Sequence, residues 1–405
     1  MLEDIFFKKL ITYQCGNQEL RFRVSQDLFS SFQIDAGTRF LIRAVTPDCT
    51  HNYRKILDLG CGYGPIGLTL KALCPESVVH MTDPDALAVA YSRRNAEFNH
   101  LEGVKIYGSL DYDSVTERDF DLVISNIPGK AGTPVISHII EDAFHYLSPQ
   151  GIAAVVVVTP LEPLITELIN NNSRIKLLDF QTRPGHAVFR YGFTAPHDEA
   201  AHPAPGITER DVYYRGSEDF IAGGFSYSME TAYGLPEFDQ LGYATELLID
   251  GLKNLRQKSF RHILVFNPLA GHIPVVIWKM FKPEKISLAG RSLLGLRYSA
   301  KNLLLNGFPN ANMAITHRAG LDTGGLEKAD LITGILRDEE GNEAITSIVI
   351  QMGDLLNING TLLLSAGSTA ITRIIRQLSS IPSLVLTDRK KHRGSSILIL
   401  SKQFN

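Results

Sequence analysis

The chain repeats itself. Asp4-Ile5-Phe6-Phe7 returns as Asp211-Val212-Tyr213-Tyr214, and Arg54-Lys55-Ile56-Leu57 returns as Arg261-His262-Ile263-Leu264, both at an offset of 207 residues. Thr38 and Leu41 match Thr245 and Leu248 at the same spacing. Tyr91-Ser92, Asn95 and Asn99 match Tyr298-Ser299, Asn302 and Asn306. After a slip of two residues, Asp121-Leu122 aligns with Asp330-Leu331 and Gly151 with Gly360. Two unrelated α/β domains share apolar strands by chance, which accounts for the Ile and Leu matches. That does not explain the shared Tyr-Ser…Asn…Asn, so the pattern predicts two copies of one fold. A length of 405 residues accommodates two domains. Three prolines and several small residues between Ala195 and Gly206 read as a linker. The expected division is residues 1–195, a linker at 196–210, and residues 211–405.

Within the first copy, short apolar runs alternate with helical stretches. Strands are predicted at Lys55–Leu59, Val78–Thr82, Val104–Tyr107, Leu122–Ser125 and Ile152–Val158, with helices at Ile66–Leu73 and Asp85–Phe98. Strands spaced by helices imply a mostly parallel sheet covered on both faces. The expected fold class is therefore α/β, two tandem Rossmann-like domains. Sheets of this kind bind ligands beyond the carboxyl ends of their strands.

One loop stands at such an end. Asp58-Leu59-Gly60-Cys61-Gly62-Tyr63-Gly64-Pro65-Ile66-Gly67 follows a predicted strand and opens a predicted helix. Residues 62–67 fit G-x-G-x-x-G, which alone is weak evidence for a dinucleotide. Charge separates the ligands. A dinucleotide places an anionic pyrophosphate against the loop, where Asp58 repels it. S-adenosyl-L-methionine places an ammonium and a sulfonium there, and a carboxylate favours both. Gly60, Gly62 and Gly64 let backbone approach the ligand closely. Asp83 closes the next strand and is placed to accept ribose hydroxyls of either cofactor. As local alternatives, Asp58 reads as a turn residue and Asp83 as a helix cap.

These residues resemble class I methyltransferases, and more narrowly the small-domain bacterial rRNA guanine-N2 methyltransferases. Leu28-Phe29-Ser30…Asp35-Ala36-Gly37-Thr38…Phe40-Leu41 is similar to that family's F-S-x-x-x-x-D-x-G-T-x-x-L-L segment. The resemblance implies a methyl transfer from S-adenosyl-L-methionine to an amine, aligned by Asn126 and the Ile127 carbonyl in Asn126-Ile127-Pro128-Gly129. The family's pattern there is N-P-P followed by an aromatic. Ile127 replaces the first proline, and Gly129 replaces the aromatic that stacks on the target base. Phe29, Phe32 or Tyr63 is left to supply stacking, or the target is not a flat base. An ordinary strand-to-loop turn is the local alternative for this tetrapeptide. At the position near the adenine, where the family has an acidic residue, this chain has Ser109. Tandem members of the family usually carry the active copy second; here it is first.

The second copy lacks the chemistry. Val265 stands opposite Asp58, Gly290 opposite Asp83, and the loop keeps Gly271 alone of the three glycines. No cofactor is expected there. Net charge is −3, so no global field draws the chain to nucleic acid, and any RNA contact is expected from local basic patches. The strongest is Arg389-Lys390-Lys391-His392-Arg393, which also reads as a solvated hairpin tip. The helix carrying His138 and His145 reads as an exposed face without a metal-ligand set. The four cysteines, Cys15, Cys49, Cys61 and Cys74, form no C-x-x-C pair and read as reduced thiols. With neither a signal-like start nor a long apolar run, a cytoplasmic protein is expected. The rival functions are methylation of a small molecule or protein side chain, and a cofactor-binding scaffold without turnover.

Overall fold

A computed structural model describes residues 4–48, 53–194, 211–322, 324–392 and 394–403. The chain divides into two compact units, Lys8–Tyr213 and Tyr214–Asn405, the residues ahead of Lys8 being counted with the second. The proline-rich linker at 196–210 lies outside the described residues.

The first unit opens with a hairpin of β1 (Phe7–Cys15) and β2 (Gln18–Ser25), followed by α1 (Ala36–Val45). Then come β3 (Lys55–Leu59), α2 (Pro65–Leu73), β4 (Val78–Asp83), α3 (Ala86–Phe98), β5 (Val104–Gly108) and β6 (Phe120–Asn126). It closes with α4 (Thr133–Glu141), β7 (Leu147–Val158), α5 (Glu162–Asn171), β8 (Ile175–Arg183) and β9 (His186–Phe193). The seven-stranded sheet runs β5-β4-β3-β6-β7-β9-β8. β5 through β7 are parallel, and β9 and β8 are antiparallel. Strand order reverses between β3 and β6, which places a crevice at their carboxyl ends.

Sequence explains these elements. β3 is short and apolar because both faces are covered: Ile56 and Leu57 are fully buried. α1 starts at Asp35, whose carboxylate accepts the Thr38 N–H. α3 starts at Asp85, which accepts from Leu87 N–H. Pro65 opens α2, where its missing N–H costs nothing.

The second unit repeats the plan with β10 (Tyr214–Ala222), β11 (Phe225–Ala232), α6 (Tyr243–Lys253), β12 (His262–Phe266), α7 (His272–Phe281), β13 (Lys285–Gly290) and α8 (Leu293–Leu305). β14 (Met313–His317), β15 (Ala329–Ile335), α9 (Asn342–Leu355), β16 (Leu356–Gly367), α10 (Ser368–Gln377), β17 (Leu384–His392) and β18 (Ser395–Lys402) complete it. Its sheet, β14-β13-β12-β15-β16-β18-β17, has the first sheet's order strand for strand. Its core gathers Leu248, Leu252, Ile263, Val265, Ile286 and Leu331. No described helix is long and apolar enough to cross a membrane.

Two local expectations need correction. Arg389–His392 stands at the exposed turn end of the β17–β18 hairpin, but as strand and not as loop, because the ladder extends to His392 opposite Ser395. The α4 face is not exposed at His138. That side chain is buried, with Nδ1 2.7 Å from Asp142 Oδ2 and the Tyr112 ring packed edge-on against it at 5.5 Å.

Candidate active site

After β3 the backbone turns into α2 through three left-handed glycines, Gly60, Gly62 and Gly64, with φ of +71°, +58° and +99°. A Cβ at Gly60 or Gly62 would meet nothing within 4 Å. The left-handed backbone, and not crowding, therefore selects glycine here. Gly67 differs: a Cβ there would lie 2.8 Å from the Met81 side chain and 2.9 Å from Asp58 Oδ2, so its role is close helix-to-strand packing.

Polar residues of α3 hold the loop in shape. Ser92 Oγ donates to the Gly62 carbonyl at 2.8 Å, and Asn95 Nδ2 donates to the Tyr63 carbonyl at 2.8 Å. Asn95 also bonds both backbone groups of Arg23 in β2. Asn99 does the same to Arg21. The second unit reproduces the set: Ser299 to Leu269, Asn302 to Ala270 and Glu230, Asn306 to Ser228. The repeated Tyr-Ser…Asn…Asn is thus a buried clamp between helix, loop and hairpin. Its signal in the sequence was the repeat itself.

Asp58 sits under the loop and is fully buried. Oδ2 accepts the Gly67 N–H at 2.8 Å, and Oδ1 has no hydrogen-bond partner. Burial is the main force on its carboxyl, with nearby Asp83 adding to it. Together they outweigh the Gly67 bond and push the pKa up to about 7. The group titrates near neutrality instead of holding a permanent charge. A cation above the loop fits this arrangement, since it favours the ionised form.

Asp83 Oδ2 accepts the Gly62 N–H at 2.8 Å and Oδ1 accepts the Asp85 N–H at 2.8 Å. It therefore ties the end of β4 to the glycine loop. Carboxylate oxygens accept more than one hydrogen bond, so this duty is compatible with holding a diol. Ser109 is buried; its hydroxyl donates to the Asp111 carbonyl and accepts the Ser114 N–H, each at 2.9 Å. Its proton is committed to shaping the loop after β5.

Asn126 ends β6, across the crevice from β3. Its Nδ2 donates to Thr38 Oγ1 at 3.0 Å and to Asp35 Oδ2 at 3.3 Å. A carboxylate only accepts, so the nitrogen must face Asp35, and Oδ1 is turned the other way. Ile127 is buried, with its N–H on the Val156 carbonyl, while Pro128 and Gly129 are exposed. The turn closes through Ala131 N–H on the Pro128 carbonyl, which leaves the Ile127 carbonyl out of that bond. The structure thus brings Asp35 and Thr38 to the Asn126 end of β6. Sequence reading missed them as site residues, although they form part of the D-x-G-T pattern.

Of the aromatics near the site, Tyr63 is buried against Phe22 and offers no stacking face. Phe29 and Phe32 are each 73% exposed.

The second unit keeps the loop's backbone and fills its space. Asn267, Leu269 and Gly271 have φ of +49°, +52° and +107°, matching Gly60, Gly62 and Gly64. A Cβ on Gly290 would lie 3.0 Å from Asn267 Oδ1, so the Asn267 side chain lies against the position that corresponds to Asp83.

A family model described as the methyltransferase small domain matches residues 19–176. Bacillus subtilis YbxB is 34% identical over 152 residues, 37% of this chain and 74% of YbxB. A ribosomal RNA small subunit methyltransferase C of Haemophilus influenzae is 35% identical over 128 residues, 31% of this chain and 37% of that protein. A ribosomal RNA large subunit methyltransferase G of Shewanella pealeana is 30% identical over 160 residues, 36% of this chain and 38% of that protein. The chain thus spans little more than a third of these two rRNA enzymes. Among solved structures, a T. thermophilus 16S rRNA N2 methyltransferase in complex with AdoMet and guanosine covers 98% of both chains with a TM-score of 0.66 at 13% identity, a likeness of fold. By its matched domain and its likeness to YbxB, the chain belongs to the methyltransferase small domain family, enzymes that use S-adenosylmethionine.

Proposed function

We propose that the chain methylates the exocyclic amine of a guanine in ribosomal RNA. The observation that carries this reading is the pinned Asn126 amide: its nitrogen faces Asp35 and Thr38, so its oxygen is presented as an acceptor. Such an oxygen, with the Ile127 carbonyl, accepts both hydrogens of an amine and aims the nitrogen lone pair. Transfer to an amine of this kind needs alignment more than a strong base. Pro128 fixes the turn that follows. S-adenosylmethionine, when bound, supplies an electrophilic methyl group. Asp58 and the backbone at Gly60, Gly62 and Gly64 hold its cationic amino acid end, Asp83 holds the ribose, and the Ser109 loop borders the adenine. The rRNA methyltransferases among the relatives and the likeness of the Phe29–Leu41 segment to guanine-N2 enzymes support the target.

The test is transfer of labelled methyl from S-adenosylmethionine to rRNA of a strain lacking this chain, with nucleosides resolved by mass spectrometry. N2-methylguanosine in that rRNA, and none added to rRNA of the parent strain, is the expected result. Label confined to protein or to small molecules overturns the target. Exposed Gly129, where related enzymes carry a stacking ring, is the observation that favours such an acceptor.

A further inference from the structure

The segment between β2 and α1 is built unusually. Leu28 and Ile34 are buried and anchor it at both ends. Between them Phe29 and Phe32 are each 73% exposed, although burying either ring would contribute about 2 kcal/mol. The backbone is fixed, not loose. Ser30 is left-handed at φ +58°, its carbonyl accepts the Tyr63 hydroxyl at 3.4 Å, and Ser31 Oγ donates to the Gln26 carbonyl at 3.3 Å. The rings are thus held outward by the fold.

Cations lie over the Phe32 ring. Lys8 Nζ lies 3.6 Å from the Phe32 ring centroid and Lys9 Nζ 4.9 Å, and Lys8 also donates to Ser31 Oγ at 3.3 Å. Arg39 and Arg43 of α1 act on Tyr13 of β1, which puts two further cations beside the same hairpin. Asp27 and Asp35 are the acidic side chains of the segment; Asp35 is committed to the Thr38 N–H and to Asn126. An exposed ring beside two ammonium groups, with a second exposed ring three residues away in the chain, is the chemistry that binds unpaired nucleotides: rings stack bases and cations take phosphates.

We propose that Phe29 and Phe32, with Lys8 and Lys9, form a platform for single-stranded RNA next to the acceptor site. It rests on the RNA target proposed above and names the surface that receives it. Phe32 is three residues from Asp35, at most about 11 Å of chain, and Asp35 touches Asn126. A base stacked on this segment therefore lies within a nucleotide or two of the aligned amine. The platform supplies the stacking that Gly129 does not.

The test uses the full chain and a fluorescein-labelled unstructured oligoribonucleotide, read by anisotropy at low and moderate salt, with duplex RNA of equal length beside it. Binding of the single strand over the duplex is expected. Phe29→Ala and Phe32→Ala should each weaken it about ten-fold. Lys8→Ala with Lys9→Ala should weaken it and lower the salt slope by about 1.4. Calorimetric affinity for S-adenosylmethionine should stay unchanged in all variants, which reports an intact fold. Parental RNA binding in the phenylalanine variants overturns the platform and leaves an RNA target standing. No RNA binding by a chain that still binds the cofactor overturns both. Concentration-dependent dimerisation abolished by Phe29→Ala also overturns it, because the rings then serve a second copy.

Discussion

Asn126 Nδ2 stands 3.0 Å from Thr38 Oγ1, so the end of β6 is hydrogen-bonded to the first turn of α1. This bond joins the chain's lead-in segment to its acceptor turn, and it gives Thr38 a task that burial alone does not explain. Thr38→Val keeps the shape and removes the acceptor, leaving an amide N–H without a partner. Turnover should fall about ten- to a hundred-fold with KM for the cofactor unchanged, and Thr38→Ser should restore most of it. Equal loss in the valine and serine variants would sink the positioning role.

Asp35→Ala should cost more than Asp35→Asn. Alanine removes both the cap of α1 and the partner of Asn126, about 1 kcal/mol of stability for the cap alone. Asparagine caps well and can keep an oxygen on the Thr38 N–H. Melting temperature and turnover, measured together, check the order of the two variants.

Asp58 predicts an opposition between stability and binding. Its carboxyl titrates near pH 7 in the folded chain, above its unfolded value of 3.8, so the folded state binds this proton more tightly. The contribution is therefore favourable at low pH and is lost as pH rises from 3.8 to about 7. Asp58→Asn removes that loss. Above pH 7 the variant should be more stable than the parent by up to about 4 kcal/mol, and near pH 4 the two should converge. Cofactor affinity moves the other way: in the parent it should rise with pH through 7 and release a proton on binding, and in the variant it should be weak and flat. Thermal melts across pH and calorimetry in two buffers read both effects. A parent affinity independent of pH would refute the role given to Asp58.

The clamp predicts a difference between the two units. Asn95→Ala and Asn302→Ala each remove three backbone hydrogen bonds from a buried site, and each should destabilise by about 2–4 kcal/mol. Only Asn95→Ala should weaken cofactor binding, because only its loop carries all three glycines and faces Asp83. Calorimetry should accordingly show one cofactor per chain, and none in Asp83→Ala.

Much of the fold was legible. Alternating apolar runs located the parallel strands to within a residue or two in β3, β4 and β5, because strands buried on both faces leave little choice of residue. The glycine loop was legible because left-handed backbone excludes most side chains. The Asn126 pairing was not, since Asp35 and Thr38 lie 91 and 88 residues away, and no local pattern reports so distant a contact. Nor did the sequence show that His138 is buried or that Ser109 spends its hydroxyl within its own loop. Those outcomes depend on what neighbouring elements cover.

Residue order alone determined that two like α/β domains form and that the first carries a glycine-rich turn after β3, because periodicity, glycine and charge act locally. Tertiary structure decided which way the Asn126 amide points, how strongly Asp58 holds its proton, and which aromatics remain exposed. Each of these depends on solvent exclusion and on partners remote in the chain, and the local sequence encodes neither.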